Sequence, residues 1–290
     1  MFNLSKRNSG VVFALLTACG LGAITTLAKI FYADGGNAIT LMLIRTVAST
    51  LVFGLLLLIR QDRFSVDPAL RTSLVALGIF WSGGMVCYLV AVETISVSIA
   101  VLIFYFYPLM VLAYSIASRQ LAASVPLISL FLGAFAGLYL ALSGGEISID
   151  INGILFAALA CCGAAFTFIR GARVAPAMSP LLMTFWINAI GLALMIPLAA
   201  GSLALPDSGQ ALVALGVATL FYLVAILSQF QALARLPAAR AAFLLNLEPV
   251  VSIMLAYLVL SETLSILQAS GAVLVLTTII LSLRFKPATA

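Results

Sequence analysis

Residues 238–262 read AARAAFLLNLEPVVSIMLAYLVLSE, and this stretch decides the fold class. Between Arg240 and Glu262 lie twenty-one residues, among which Glu248 is the only charge. At ~1.5 Å per residue such a run makes a helix of about 30 Å, the thickness of a bilayer's hydrocarbon core. Near its centre stand Asn246, Glu248 and Pro249. An ionisable side chain at that depth costs about 2.5–3.5 kcal/mol or more, so it faces a protein interior or a wet cavity. Pro249 has no N–H and deprives the carbonyl of Leu245 of its helical partner. A buried acid, an amide and a freed carbonyl together predict a polar cavity at mid-membrane.

The rest of the chain has the same character. Of its 290 residues 64% are hydrophobic and 8% charged, against roughly 25% charged in soluble domains. A mean hydropathy of +1.25 leaves too little polar surface to coat a water-soluble globule. The reading is an all-α integral membrane protein. Cys19, Cys87, Cys161 and Cys162 fall inside apolar runs with no CxxC or Cys/His spacing, so they read as packing residues. Histidine is absent, which removes the commonest general base and metal ligand. There is no GxxxxGK[ST] phosphate loop, no HExxH and no GxSxG. No ATP-driven pumping, no enzyme activity, no metal and no cofactor are expected. No run of like charge suggests a nucleic-acid partner. The run after Lys6 and Arg7 is too long and unbroken for a cleaved secretory signal, and reads as the first span.

Apolar runs of spanning length occur at about 10–31, 38–59, 70–91, 97–117, 124–143, 152–169, 178–200, 210–232, 239–260 and 264–283. Ten transmembrane helices follow, joined by short segments carrying Gly35–Gly36, Pro68, Gly144–Gly145, Pro176, Pro206 and Pro237. Lys6, Arg7, Arg60, Arg63, Arg71, Arg119, Arg170, Arg173, Arg235, Arg240, Arg284 and Lys286 fall at alternate ends of these spans. The other ends carry Asp34, Glu93, Glu146, Asp150, Asp207 and Glu262, and no loop Lys or Arg. That pattern predicts both termini in the cytoplasm.

The chain also repeats itself. Residues 10–20, GVVFALLTACG, lie over residues 153–163, GILFAALACCG, with six of eleven positions identical at a shift of 143. Leu74–Gly78 (LVALG) recurs at Leu212–Gly216. Residues 91–108 align without a gap on residues 232–249, proline on proline, at a shift of 141. The expectation is two five-helix units, 1–145 and 146–290. Five is odd, so the second copy crosses the membrane in the opposite sense, an inverted-topology repeat of the kind that builds secondary transporters.

The duplicated unit, with ALARLPAARAAFLLNLEP at 232–249 leading to YLVLSE at 257–262 and Gly271, resembles the EamA-type group of the drug/metabolite transporter superfamily over essentially the whole chain. The first copy departs from the pattern, with Gln120 near where the family often carries the loop glutamate matched here by Glu262. The resemblance implies a ten-helix exporter of small metabolites, often amino acids, with a central substrate cavity and a bacterial inner-membrane location.

Groups at equivalent positions of two inverted copies lie symmetrically about an axis on which the substrate sits. At the shift of 141, Trp81 matches Tyr222, Tyr88 matches Gln229, Tyr105 matches Asn246 and Tyr107 matches Glu248. Trp81, Met85 and Tyr88 share one helix face, as do Tyr222 and Gln229. These residues form the expected substrate pathway; interfacial belts and satisfied helix contacts are the alternatives. Pro108 and Pro249 would kink the fourth and ninth spans near their middles, as matched hinges or as tolerated prolines. Glu248 is either a substrate or proton site or a structural carboxyl. Arg45 is the candidate charge partner, for a substrate carboxylate or for Glu248, and Lys29 reads as snorkelling. Gly133 and Gly137 make the one GxxxG spacing, a sign of close helix packing or dimerisation.

The function expected is export of a small organic solute, an amino acid with an apolar or aromatic side chain first, by alternating access. Import, another solute such as a nucleoside or drug, an intramembrane enzyme and an ion channel are the rival readings. The partners expected are a small-molecule substrate and the lipid bilayer, with protons as a candidate coupling ion and a monomeric state.

Overall fold

The computed structural model describes residues 6–143, 150–261 and 263–284. Glu146, Glu262, Lys286 and the boundary between the two expected units at 145/146 lie outside the described residues. Every regular element among the described residues is a helix. In order they are α1 (Lys6–Ala33), α2 (Ala38–Ile59), α3 (Pro68–Thr94), α4 (Val97–Phe104), α5 (Tyr107–Ala117), α6 (Val125–Ala141), α7 (Ile151–Val174), α8 (Pro180–Ala199), α9 (Gly209–Leu233), α10 (Ala238–Leu244), α11 (Leu247–Leu260) and α12 (Ile266–Arg284). A short 3-10 turn, Ala175–Ala177, extends α7.

The starts are set by the loop chemistry. The side chains of Asn37, Asp67, Asp150 and Ser208 each accept a backbone N–H from the first turn of α2, α3, α7 and α9, satisfying donors that a helix start leaves open. Pro68, Pro126 and Pro180 sit in first turns, where the missing N–H costs nothing.

Nine spans among the described residues are long and apolar enough to cross a bilayer, with α4 and α5 together making one and α10 and α11 another. The expected fifth span, 124–143, is shorter than anticipated. Its helix α6 has 17 residues, about 25 Å.

The two copies pack on each other through matching glycines. A Cβ on Gly20 of α1 would stand 3.0 Å from Ala225 Cβ and 3.2 Å from the Phe221 carbonyl on α9. A Cβ on Gly163 of α7 would stand 2.7 Å from the Phe80 carbonyl and 3.2 Å from Gly84 Cα on α3. Gly20 and Gly163 are related by the shift of 143, and 80 and 84 are related to 221 and 225 by the shift of 141. The same crossing is therefore built twice. In the same way α2 packs on α8 and α6 on α12. Gly133 and Gly137 are spent on this last contact, where added Cβ atoms would press on Thr278, the Gly271 carbonyl and Val275 of α12. The GxxxG spacing serves packing inside the chain, and the dimerisation reading loses its support.

The fourth and ninth spans are broken rather than kinked. α4 ends at Phe104 and α5 starts at Tyr107; α10 ends at Leu244 and α11 starts at Leu247. Each break lies just ahead of its proline because the ring clashes with the carbonyl four residues back. That places Pro108 and Pro249 in the first turns of the second half-helices. The Leu245 carbonyl, expected to be left free, instead accepts the Glu248 N–H at 2.9 Å.

Candidate functional site

A cavity lies between the two copies at the level of the two breaks, with about 170 Å³ of space for the centres of water molecules, room for roughly ten waters or one small organic solute. Its wall is mostly aliphatic and aromatic. From α3 come Trp81, Met85 and Tyr88; from the break between α4 and α5, Phe104, Tyr105 and Tyr107; from α9, Tyr222 and Gln229; from α11, Glu248. α2 adds Arg45. Of the four pairs matched by the shift of 141, three contribute both members.

The exception is Asn246. Tyr105, its counterpart, is on the wall, whereas Asn246 is buried away from it. Its Nδ2 donates to the Phe243 carbonyl at 2.8 Å, holding the turn of the break.

The polar groups on the wall are left with capacity to spare. Glu248 and Arg45 share the cavity and form no ion pair with each other. Arg45 Nε is buried with no hydrogen-bond partner, and its guanidinium lies over Tyr222, 4.6 Å from the ring centroid. A desolvated cation on an aromatic face is held by about 2 kcal/mol, which fixes where the group sits while leaving its donors available. Tyr222 is fixed in turn. Its hydroxyl donates to Asn188 Oδ1 at 3.1 Å, and Asn188 Nδ2 donates to the Thr184 carbonyl at 2.8 Å on α8. Gln229 Nε2 is also buried without a hydrogen-bond partner among the described residues, as is the Tyr105 hydroxyl, which lies beside the Glu248 carboxyl. Buried donors are normally satisfied, and each orphan costs about 1–3 kcal/mol, so a group at this site points to a ligand or ordered water.

Several wall residues escaped the sequence reading. Thr25 and Tyr32 of α1, Met42 of α2 and Phe168 of α7 also line the cavity. Phe104 and Leu245 are themselves a pair at the shift of 141 and both are on the wall; a search restricted to polar pairs passes over them. Asn188 acts only through Tyr222, a tertiary contact with no local signal.

The cavity is also lopsided along the bundle. It reaches Ala28, Tyr32 and Leu41 at the end that carries Asp34. At the other end α10 is packed against α1, α5, α7 and α9, and six of its seven residues are buried. No metal-binding cluster of His, Cys, Asp or Glu occurs among the described residues.

Comparison with known proteins places this architecture. A family model described as the EamA-like transporter family matches residues 8–143 and, a second time, residues 151–284. The chain belongs to the EamA-like transporter family. This EamA-like transporter also resembles a solved structure described only as the crystal structure of a protein. The two are 16% identical, with 95% of this chain and 98% of the other covered and a TM-score of 0.81. At that identity the likeness shows a shared fold. No curated protein matches. The protein is thus a multi-pass membrane transporter of two EamA repeats, and the cavity lies where those repeats meet.

Proposed function

We propose that this EamA-like transporter is a secondary transporter of the bacterial inner membrane that exports zwitterionic amino acids with apolar or aromatic side chains. The observation that carries the reading is one guanidinium and one carboxyl, Arg45 and Glu248, unpaired with each other on a wall otherwise apolar and aromatic. A free amino acid answers both at once. Its carboxylate accepts from Arg45, its ammonium donates to Glu248, and its side chain lies among Trp81, Leu89 and Phe104. Desolvating a single charge there is expensive, whereas a zwitterion leaves the site with no net excess.

Topology and packing support alternating access. Five spans per copy run the second copy opposite to the first, and the loop arginines put both termini in the cytoplasm. On that orientation α10 seals the cytoplasmic end and the cavity extends outward. The breaks ahead of Pro108 and Pro249 are the matched joints at which α4 and α10 exchange roles. Glu248 is the candidate proton carrier.

The test is counterflow of a solute panel (amino acids, nucleosides, inorganic anions) in proteoliposomes, with and without an imposed pH gradient. Exchange of phenylalanine or leucine, competed by neither nucleosides nor phosphate, supports the reading. Glu248→Gln then retains measurable exchange, weakened by the lost bond to the ammonium, and loses gradient-driven accumulation altogether. Exchange of nucleosides alone would overturn the substrate class, and normal accumulation in Glu248→Gln would remove the proton role.

A further inference from the structure

A second cavity lies at the opposite end of the bundle from Asp34, where α6, α10, α12 and the start of α1 meet. It offers about 360 Å³ to the centres of water-sized molecules. One side is cationic, formed by Arg7, Arg235 and Arg240. The other side is apolar, formed chiefly by Leu127, Leu130, Phe131 and Phe243.

The three arginines are unequally engaged. Arg235 donates to the Gln231 carbonyl at 2.8 Å and to the Gln231 side chain, and its guanidinium lies 4.9 Å from the Phe13 ring centroid. Arg7 makes one long bond, 3.4 Å, to the Leu283 carbonyl. Arg240 Nε is buried with no hydrogen-bond partner. None of the three forms an ion pair with a carboxylate among the described residues. Like charges gathered at an apolar pocket repel, and a buried donor without an acceptor is costly. An oxyanion relieves both, and guanidinium groups bind phosphate oxygens in pairs.

The surroundings choose the source of the phosphate. Outside the pocket, the short apolar helix α6 presents Ile128 and Leu132, and α12, long and apolar enough to cross a bilayer, presents Leu281 and Leu283, all as exposed hydrophobic side chains. A soluble anion would leave the Leu127–Phe131 wall uncovered; a lipid covers both sides. We propose that this pocket binds an anionic phospholipid, with its phosphodiester on Arg7 and Arg240 and an acyl chain along Leu127, Leu130 and Phe131. Basic pockets between spanning helices are suited to acidic head groups. Arg240 and Phe243 belong to α10, and the Phe243 and Phe131 rings stand 4.6 Å apart. The lipid therefore fastens α10 to α6 at the sealed end of the bundle. The site stands whatever solute the central cavity takes.

The experiment is native mass spectrometry of the full chain in neutral detergent, titrated with phosphatidylglycerol or phosphatidylcholine. Phosphatidylglycerol is retained at least about tenfold better, and each of Arg7→Gln and Arg240→Gln lowers that retention about fivefold. Arg240→Lys, which keeps the charge, recovers part of it. Arg7→Gln, at the start of α1, carries the test if Arg240→Gln does not fold. Equal retention of the two lipids would overturn the proposal, as would retention unmoved by Arg7→Gln. Displacement of phosphatidylglycerol by inorganic phosphate would assign the pocket to a soluble anion and overturn the lipid reading.

Discussion

The half-helices α4 and α10 hold matching places in the two copies and live in different surroundings. In α10 every residue but Arg240 is buried, wedged among α1, α5, α7 and α9. In α4 only Ala100 of eight residues is buried, and its main contacts are with α7 and α3. Both segments are short and followed by a break and a proline, so that shared plan does not account for the difference, although α10 (AARAAFL) has four alanines where α4 (VSIAVLIF) has one. Packing does. The two-fold relation governs the covalent plan, seen in the paired glycine crossings, and lapses in the tertiary arrangement, where one end is sealed and the other is not. On the proposed mechanism that lapse is a state of the transporter, and exchanging the roles of α4 and α10 would open the opposite end.

The copies differ most in chemistry at Tyr107 and Glu248, and the largest effect is expected there. Glu248→Gln and Arg45→Gln each lower net amino-acid transport in proteoliposomes by about 10- to 100-fold, because a hydrogen bond to a charged group is worth about 1.5–3 kcal/mol. Tyr107→Phe lowers it by less than about threefold, the hydroxyl being a neutral contact. Equal losses at 107 and 248 would erase the distinction between the copies.

Next come the matched crossings. Gly163→Ala drives a Cβ to 2.7 Å from a backbone oxygen, whereas Gly20→Ala meets its nearest neighbour at 3.0 Å. Overpacking of the first kind costs about 1–3 kcal/mol, and the second costs less. Thermal unfolding in detergent should show the first variant melting well below the second; the reverse order would mean that the α7–α3 crossing is the looser one. Hydrogen exchange reads α4 and α10 directly. Backbone amides in 97–104 should exchange about tenfold faster than those in 238–244, since protection follows burial and local packing. Equal rates would abolish the asymmetry on which outward opening rests.

Smaller effects separate Tyr105 from Asn246. Asn246→Ala costs about 1 kcal/mol of stability through the lost bond to Phe243, and leaves the apparent KM within about twofold. Tyr105→Phe removes a buried hydroxyl with no hydrogen-bond partner among the described residues and leaves stability unchanged or slightly raised. The smallest effect is at Asp34, whose Oδ2 accepts the Ser208 N–H at 2.8 Å. That bond, with the Ser208 side chain, holds its carboxyl below the usual carboxylate range. A lowered folded pKa stabilises the protein above the unfolded value, and the contribution is lost as pH falls through the carboxylate range toward the folded value. Asp34→Asn should flatten the acid limb of a stability-against-pH curve slightly; the second copy carries Ala177 at the equivalent position.

Much of this architecture was legible in the chain. Ten apolar runs, alternating arginines and the repeat at 141–143 are covalent facts, and the bilayer leaves a helix as the main way to satisfy their backbones. The cavity was partly legible because symmetry forces equivalent residues to face the same axis, which found Trp81, Tyr88, Tyr107, Tyr222, Gln229 and Glu248. It misplaced Asn246, since an amide beside a helix break has a nearer use in holding the turn. The rule of a clash one turn ahead of proline locates the breaks better than the prolines themselves do. Phe104 and Leu245 carried the same repeat signal without polarity to flag it. Asn188, the sealed end and the partner of the Gly133–Gly137 face are tertiary facts, and no local pattern encodes them.

The pairing of Tyr107 with Glu248 has a consequence for how such a chain can choose its cargo. Two identical five-span subunits joined as a dimer would have to set the same side chain on both sides of their axis, acid facing acid or phenol facing phenol. Fusing the halves into one polypeptide lifts that obligation. Each wall mutates alone, and the pocket can become as handed as a solute whose head and tail carry opposite signs.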